Sequence, residues 1–151
     1  APDPGWTVHA DAVVVGSGIA GLTAALELRS RVGRVLLVTK GDIFDQERKL
    51  AASGLADYFA AVEVVADKTA ASYQRIFARH TEGAEHTVMV GNSLRSDILP
   101  ALEAGAYAVY VPHDLTWSYE HAEEPTAEKR YARIAHLGEL ESALVHFTAA
   151  T

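Results

Sequence analysis

Short apolar runs alternate with amphipathic stretches along the whole chain. Val13–Val15 is a β-branched run stopped by glycine, which predicts a buried strand. Ile19, Leu22 and Leu26 then keep helical spacing as far as about Arg31, and Gly33 follows as a stop. Val35–Val38 and Val62–Val65 predict a second and a third strand, with a short helix over Gln46–Ser53 between them that Gly54 ends. Thr69 is placed to cap a helix in which Tyr73, Ile76, Phe77 and His80 share a face. Val88–Val90 predicts a fourth strand. Ser96–Ala104 predicts a helix ended by Gly105, with Pro100 near its first turn, where the missing N–H costs least. Ala108–Val111 predicts a fifth strand, and a polar and aromatic loop runs from Pro112 to about Pro125. The end is helical, with Leu137, Leu140, Leu144 and Phe147 on one stripe that faces a core or, if uncovered, a second copy.

Buried, non-alternating strands joined by helices mean a parallel sheet covered on both faces. Right-handed crossovers then favour a three-layer, doubly wound α/β fold, Rossmann-like, with five strands in the order 3-2-1-4-5. No repeat, linker or low-complexity segment interrupts the pattern, so residues 1–151 read as a single domain.

Composition narrows the partners. A net charge of −7 without a Lys/Arg cluster argues against nucleic acid and anionic membranes. No apolar run approaches the ~20 residues that cross a bilayer. The opening APDPGWTVHADA lacks the basic-then-apolar order of a secretory signal. The absence of cysteine excludes disulfides and thiol chemistry and suits a reducing compartment. The expectation is a soluble, cytoplasmic protein, monomer or homodimer.

Candidate chemistry begins at the first strand end. Gly16, Ser17, Gly18, Ile19, Ala20 and Gly21 fit G-x-G-x-x-G between a predicted strand and a predicted helix. Gly16 permits the tight turn, Gly18 lets a pyrophosphate approach the backbone, and Gly21 lets the helix pack close to the strand. The acidic residue that would bind a ribose at the second strand end is replaced by Thr39 and Lys40, with Asp42 slightly later. On the motif alone, dinucleotide binding and a glycine turn kept for packing both stay open. His113, Asp114, Glu120 and His121 share the polar loop, but no short chelating spacing groups the histidines; Trp117 and Tyr119 read as loop anchors.

The segment HADAVVVGSGIAGLTAALELRSRVGRVLLVTK, about residues 5–40, resembles the N-terminal flavin-binding segment of L-aspartate oxidases, in the succinate dehydrogenase/fumarate reductase flavoprotein family. That resemblance includes Thr39-Lys40 and implies binding of an adenine dinucleotide such as FAD by Gly16, Gly18 and Gly21. It does not imply oxidase activity, because the flavin-ring and substrate regions of that family lie in several hundred further residues.

The remainder resembles something else. TKGDIFDQERKLAASGLADYF, VEVVADKTAASYQRI and VMVGNSLRSDILPALEAGAYAVYVP are similar to the C-terminal two-thirds of the core of haloacid dehalogenase (HAD) superfamily hydrolases, over about residues 36–147. The resemblance implies that Thr39 holds a transferring phosphoryl group, that Lys68 balances charge, and that Asn92 and Asp97, in GNSLRSD, sit where acidic residues hold Mg²⁺. Ser93 joins them as a position for a phosphate or sulfate ion. The same family needs an aspartate nucleophile and a second aspartate at the end of strand one, where this chain has Gly16-Ser17-Gly18. Asn92 replaces an acidic position, and Ser17 has no base near it in sequence.

Both resemblances share a parallel strand at VLLVTKGD, so they imply a chimera: a flavoprotein βαβ unit over about 1–40 and a HAD-derived remainder over about 36–151, engineered by recombination there. The expectation is a chain that is not an enzyme and requires no cofactor. Weak FAD, ADP or NAD binding is the alternative, and residual phosphatase activity through vestigial Mg²⁺ at Asp97 ranks last. Asp97 is also expected to oppose a pyrophosphate at the glycine loop, with Lys68 as a possible offset.

Overall fold

The computed structural model describes residues 12–16, 35–113 and 122–149, with side chains for 35–113 and 122–147. Among the described residues six strands form one sheet: β1 (Ala12–Gly16), β2 (Val35–Lys40), β3 (Ala61–Val65), β4 (Thr87–Gly91), β5 (Tyr107–Tyr110) and β6 (Tyr131–Arg133). Their order is β3-β2-β1-β4-β5-β6, and every neighbouring pair is parallel. The fold is α/β with a parallel sheet. β6 extends it beyond the five strands read from the sequence: three residues after a polar loop are too few to show a period.

Alternation along the strands divides the core in two. Val35, Val88, Val90, Val109 and Val111 face one way and pack with Ile134 and the helix α4 (Leu140–Ala149). Leu36, Val38, Met89, Ala108 and Tyr110 face the other way, beneath α2 (Ala70–His80) and α3 (Leu99–Glu103). Burial on both faces explains why these strands read as continuous apolar runs. Leu140, Leu144 and Phe147 are buried in the first cluster, so the C-terminal stripe faces the core.

Helix boundaries follow their caps. The helix α1 (Ile43–Ser53) starts three residues earlier than the apolar pattern suggests, because Asp42 Oδ1 accepts from Asp45 N at 3.0 Å. Gly54, at φ 69°, ends it in the left-handed conformation. α2 opens with a capping box: Ser72 N donates to Thr69 Oγ1 and Thr69 N donates to Ser72 Oγ. The expected helix over 96–104 is instead a π-turn, Leu94–Ile98, running into the short α3. The amides of Asp97 and Ile98 both donate to the Ser93 carbonyl, at 2.9 and 3.1 Å, and widen the turn. The helix expected from Ile19 and the loop anchors Trp117 and Tyr119 lie outside the described residues.

Candidate functional site

In a parallel sheet the strands deliver their following residues to one edge, and a crevice forms outside their carboxyl ends. Here β2 ends in Thr39-Lys40, β3 runs into Asp67-Lys68, and β4 ends at Gly91 and runs into Asn92-Ser93. The central strand β1 stops at Gly16, in register with Val38 of β2.

The chemistry converges on one buried carboxylate. Lys68 Nζ donates to Asp97 Oδ1 at 2.7 Å, and the two side chains are only 6% and 3% exposed. Ser93 N donates to Asp97 Oδ2 at 3.1 Å, so each carboxylate oxygen holds a donor. The local sequence makes this geometry. Ser93 caps the π-turn by accepting from Ser96 N at 3.0 Å, and the turn swings Asp97 back over the strand end. Gly91 supplies the room: a Cβ there would lie 2.6 Å from Asp97 Cγ, far inside contact distance. From below, Tyr73 Oη donates to the Ser96 carbonyl at 3.1 Å. Burial, and then the Asp97 charge, push the Tyr73 phenol well above its usual range, which keeps it a donor.

The other residues singled out in the sequence are distributed differently. Thr39 is buried, and its hydroxyl donates to Gln46 Oε1 at 2.9 Å. Lys40 is exposed and pairs with Asp67 Oδ1 at 3.0 Å, which also accepts from Lys68 N. The Lys40 hydrogen bond, followed by that backbone amide, holds the Asp67 carboxyl below its usual range. Asn92 is exposed, and so is His113. Lys68, Ser93 and Asp97 are therefore the sequence candidates in mutual contact. Gly91 and Tyr73 complete their setting and were missed as site residues; the signal for Gly91 was a glycine at a strand end directly before GNSLRSD. Ser17, Gly18 and Gly21, like Asp114, Glu120 and His121, lie outside the described residues.

A divalent cation at Asp97 would have to compete with the donors that the carboxylate already holds. A hard divalent cation needs several oxygen ligands with free lone pairs. Asp97 already carries a lysine on one oxygen and an amide on the other. Among the described residues, no three His, Cys, Asp or Glu side chains gather into a set that would hold a metal. Lys68 stands where it can offset the repulsion expected at the glycine loop: paired with Asp97 at 2.7 Å it leaves no net charge, and the field of the pair falls off as a dipole's.

Comparison with known proteins matches two descriptions to one chain. A family model of FAD binding domains matches residues 11–90, and one of HAD-hydrolase-like proteins matches residues 65–140. The chain belongs to both families. It is 52% identical over 56 residues to L-aspartate oxidase from Streptomyces coelicolor, a match covering 37% of this chain and 10% of the oxidase. The fold resembles a haloacid dehalogenase-like family hydrolase from Xanthomonas campestris, at 32% identity and a TM-score of 0.73, over 88% of this chain and 55% of the hydrolase. It also resembles a HAD phosphatase from Thermococcus onnurineus, at 27% identity and a TM-score of 0.61, over 84% of this chain and 57% of that one. The chain thus spans a tenth of the oxidase and little more than half of either hydrolase. The flavoprotein match extends past residue 40, where the sequence reading ended it, and the two families overlap over residues 65–90.

Proposed function

We propose that this chain is a catalytically silent chimera of the FAD-binding and HAD-like families, an engineered single Rossmann-like domain over residues 1–151. The observation that carries this reading is the state of Asp97, which stands in the hydrolase-derived crevice with both oxygens committed to Lys68 and Ser93. Phosphoryl transfer requires an oxygen nucleophile and a free electrostatic clamp for the moving group. β1 ends in Gly16, and no carboxylate follows before Glu27 in the sequence. Lys68 neutralises its neighbour instead of a phosphate, and the Thr39 hydroxyl is spent on Gln46. The test is hydrolysis of p-nitrophenyl phosphate in Mg²⁺ buffer by wild type and Asp97→Ala. Both are expected at the buffer rate. Turnover by wild type that disappears in Asp97→Ala overturns the reading.

The second reading is a dinucleotide-binding module, supported by the FAD binding domain match over residues 11–90 and by a glycine strand end at the centre of the sheet. Gly16, Ser17, Gly18 and Gly21 would hold the phosphates of FAD, ADP or NAD at a helix N-terminus, with Thr39-Lys40 towards the ribose. Binding would be weak, because Thr39 faces Gln46 and no acidic residue ends β2. Titration calorimetry with ADP and with FAD, against Gly18→Val, decides it: heat that the variant abolishes favours the module, and no heat with either ligand leaves the scaffold.

A further inference from the structure

We propose that the chain self-associates through β3, two copies pairing their edge strands antiparallel across a two-fold axis to give one continuous sheet. The observations that lead there lie away from the crevice. β3 and β6 are the two ends of the sheet, and they are protected very differently. β6 has three residues and carries Arg133. β3 has five, Ala-Val-Glu-Val-Val, with no lysine, proline or glycine to blunt its unpaired side. Val62 on this strand is 37% exposed, one of few large apolar side chains so placed among the described residues. A β-branched, five-residue edge is the kind of strand that natural sheets cover, charge or pair.

The surface beside it has the composition that self-pairing needs. A groove of about 430 Å³ runs between β3 and α2, lined by Glu63, Val65, Asp67, Arg75, Ile76 and Arg79 among others. A two-fold interface brings one patch against itself, so the patch must carry both charge signs and some apolar surface. Here two carboxylates, two guanidinium groups and the Val65 and Ile76 side chains share one groove. Glu63 is already held by Arg79 at 2.7 Å and His80 at 2.6 Å, and Asp67 by Lys40, whereas Arg75 is exposed and makes no ion pair among the described residues. Arg75 is the cation left for a partner carboxylate, and a second copy presents Glu63 Oε2 and Asp67 Oδ2 on the matching rim, the oxygens that those pairs leave unused among the described residues. A foreign acidic strand would meet Arg75 equally well but would leave this rim's own carboxylates facing like charge, which favours the second copy as occupant.

Sedimentation equilibrium from low-micromolar to near-millimolar concentration, with amide hydrogen exchange on the same samples, tests the pairing. Wild type is expected to pass from monomer to dimer as concentration rises, with new protection at the amides of residues 61–65. Val62→Lys places a charge on the edge twice per dimer and is expected to raise the dimer dissociation constant about tenfold. Arg75→Glu is expected to raise it as well. Both positions are exposed, so each variant is expected to keep the wild-type circular dichroism and Tm. A wild type that stays monomeric throughout overturns the proposal, as does a dimer that both variants leave unchanged or whose protection appears on α4. Protection of residues 61–65 by an added alternating Val/Glu peptide, with no dimer, overturns it in favour of a foreign strand.

Discussion

Replacing Lys68 by methionine removes the cation from the Asp97 carboxylate and leaves the chain length of the side chain almost unchanged. With the two groups 6% and 3% exposed, water cannot take the place of the ammonium group. Asp97 then keeps one donor, the Ser93 amide at 3.1 Å, for a full charge. Breaking a buried pair by removing one partner costs about 3–5 kcal/mol, because the remaining charge is stranded. For a chain of this size that corresponds to a fall in Tm of about 10 °C. Asp97→Asn in the same background removes the stranded charge with almost no change of shape. The double variant should therefore be more stable than Lys68→Met alone and should lose much less than the sum of the single losses. Urea unfolding of all four proteins at neutral pH closes the double-mutant cycle. A coupling energy below about 0.5 kcal/mol, the value expected of an exposed pair, would refute the reasoning.

Three further outcomes follow from the same geometry. Gly91→Ala sets a methyl group against the Asp97 carboxyl, which Lys68 and Ser93 hold in place, and should cost about 1–3 kcal/mol by urea unfolding. Thr69→Ala removes the acceptor for Ser72 N and half of the α2 capping box; a loss of about 1 kcal/mol is expected in the same assay, and no loss would show that Ser72 alone closes the helix. Burial raises the Glu63 carboxyl, but the His80 and Arg79 hydrogen bonds lower it further, so its folded pKa lies below the ordinary 4.5. Its stabilisation is complete above the unfolded value and is lost as pH falls through the folded one. Glu63→Gln, measured at monomeric concentration, should therefore cost about 1 kcal/mol at neutral pH and progressively less as pH falls below 4.5.

The sequence made some elements plain and left others out for physical reasons. α2 was readable because Thr69 carries its cap and Tyr73, Ile76 and Phe77 sit at helical spacing on the buried face. The buried strands were readable as β-branched runs, since a sheet covered on both faces needs no polar alternation. The π-turn was not: nothing in Leu94–Ile98 sets it apart from an α-helical turn, and its geometry comes from two amides converging on the Ser93 carbonyl. The motif residues at the strand ends could be listed from the sequence, but their pairing could not. Lys68 and Asp97 stand 29 residues apart and meet only because β3 and β4 deliver their following turns to the same edge. That meeting makes Asp97 half of an ion pair, which GNSLRSD on its own does not reveal.

The most direct test of a crevice closed by its own ion pair is a Mg²⁺ titration followed by amide NMR at Gly91 to Asp97. The account predicts no saturable shift at the Ser93 and Asp97 amides, in wild type or in Asp97→Asn. A saturable shift at those amides in wild type that Asp97→Asn abolishes would show that Asp97 is free to hold a metal, and would contradict it.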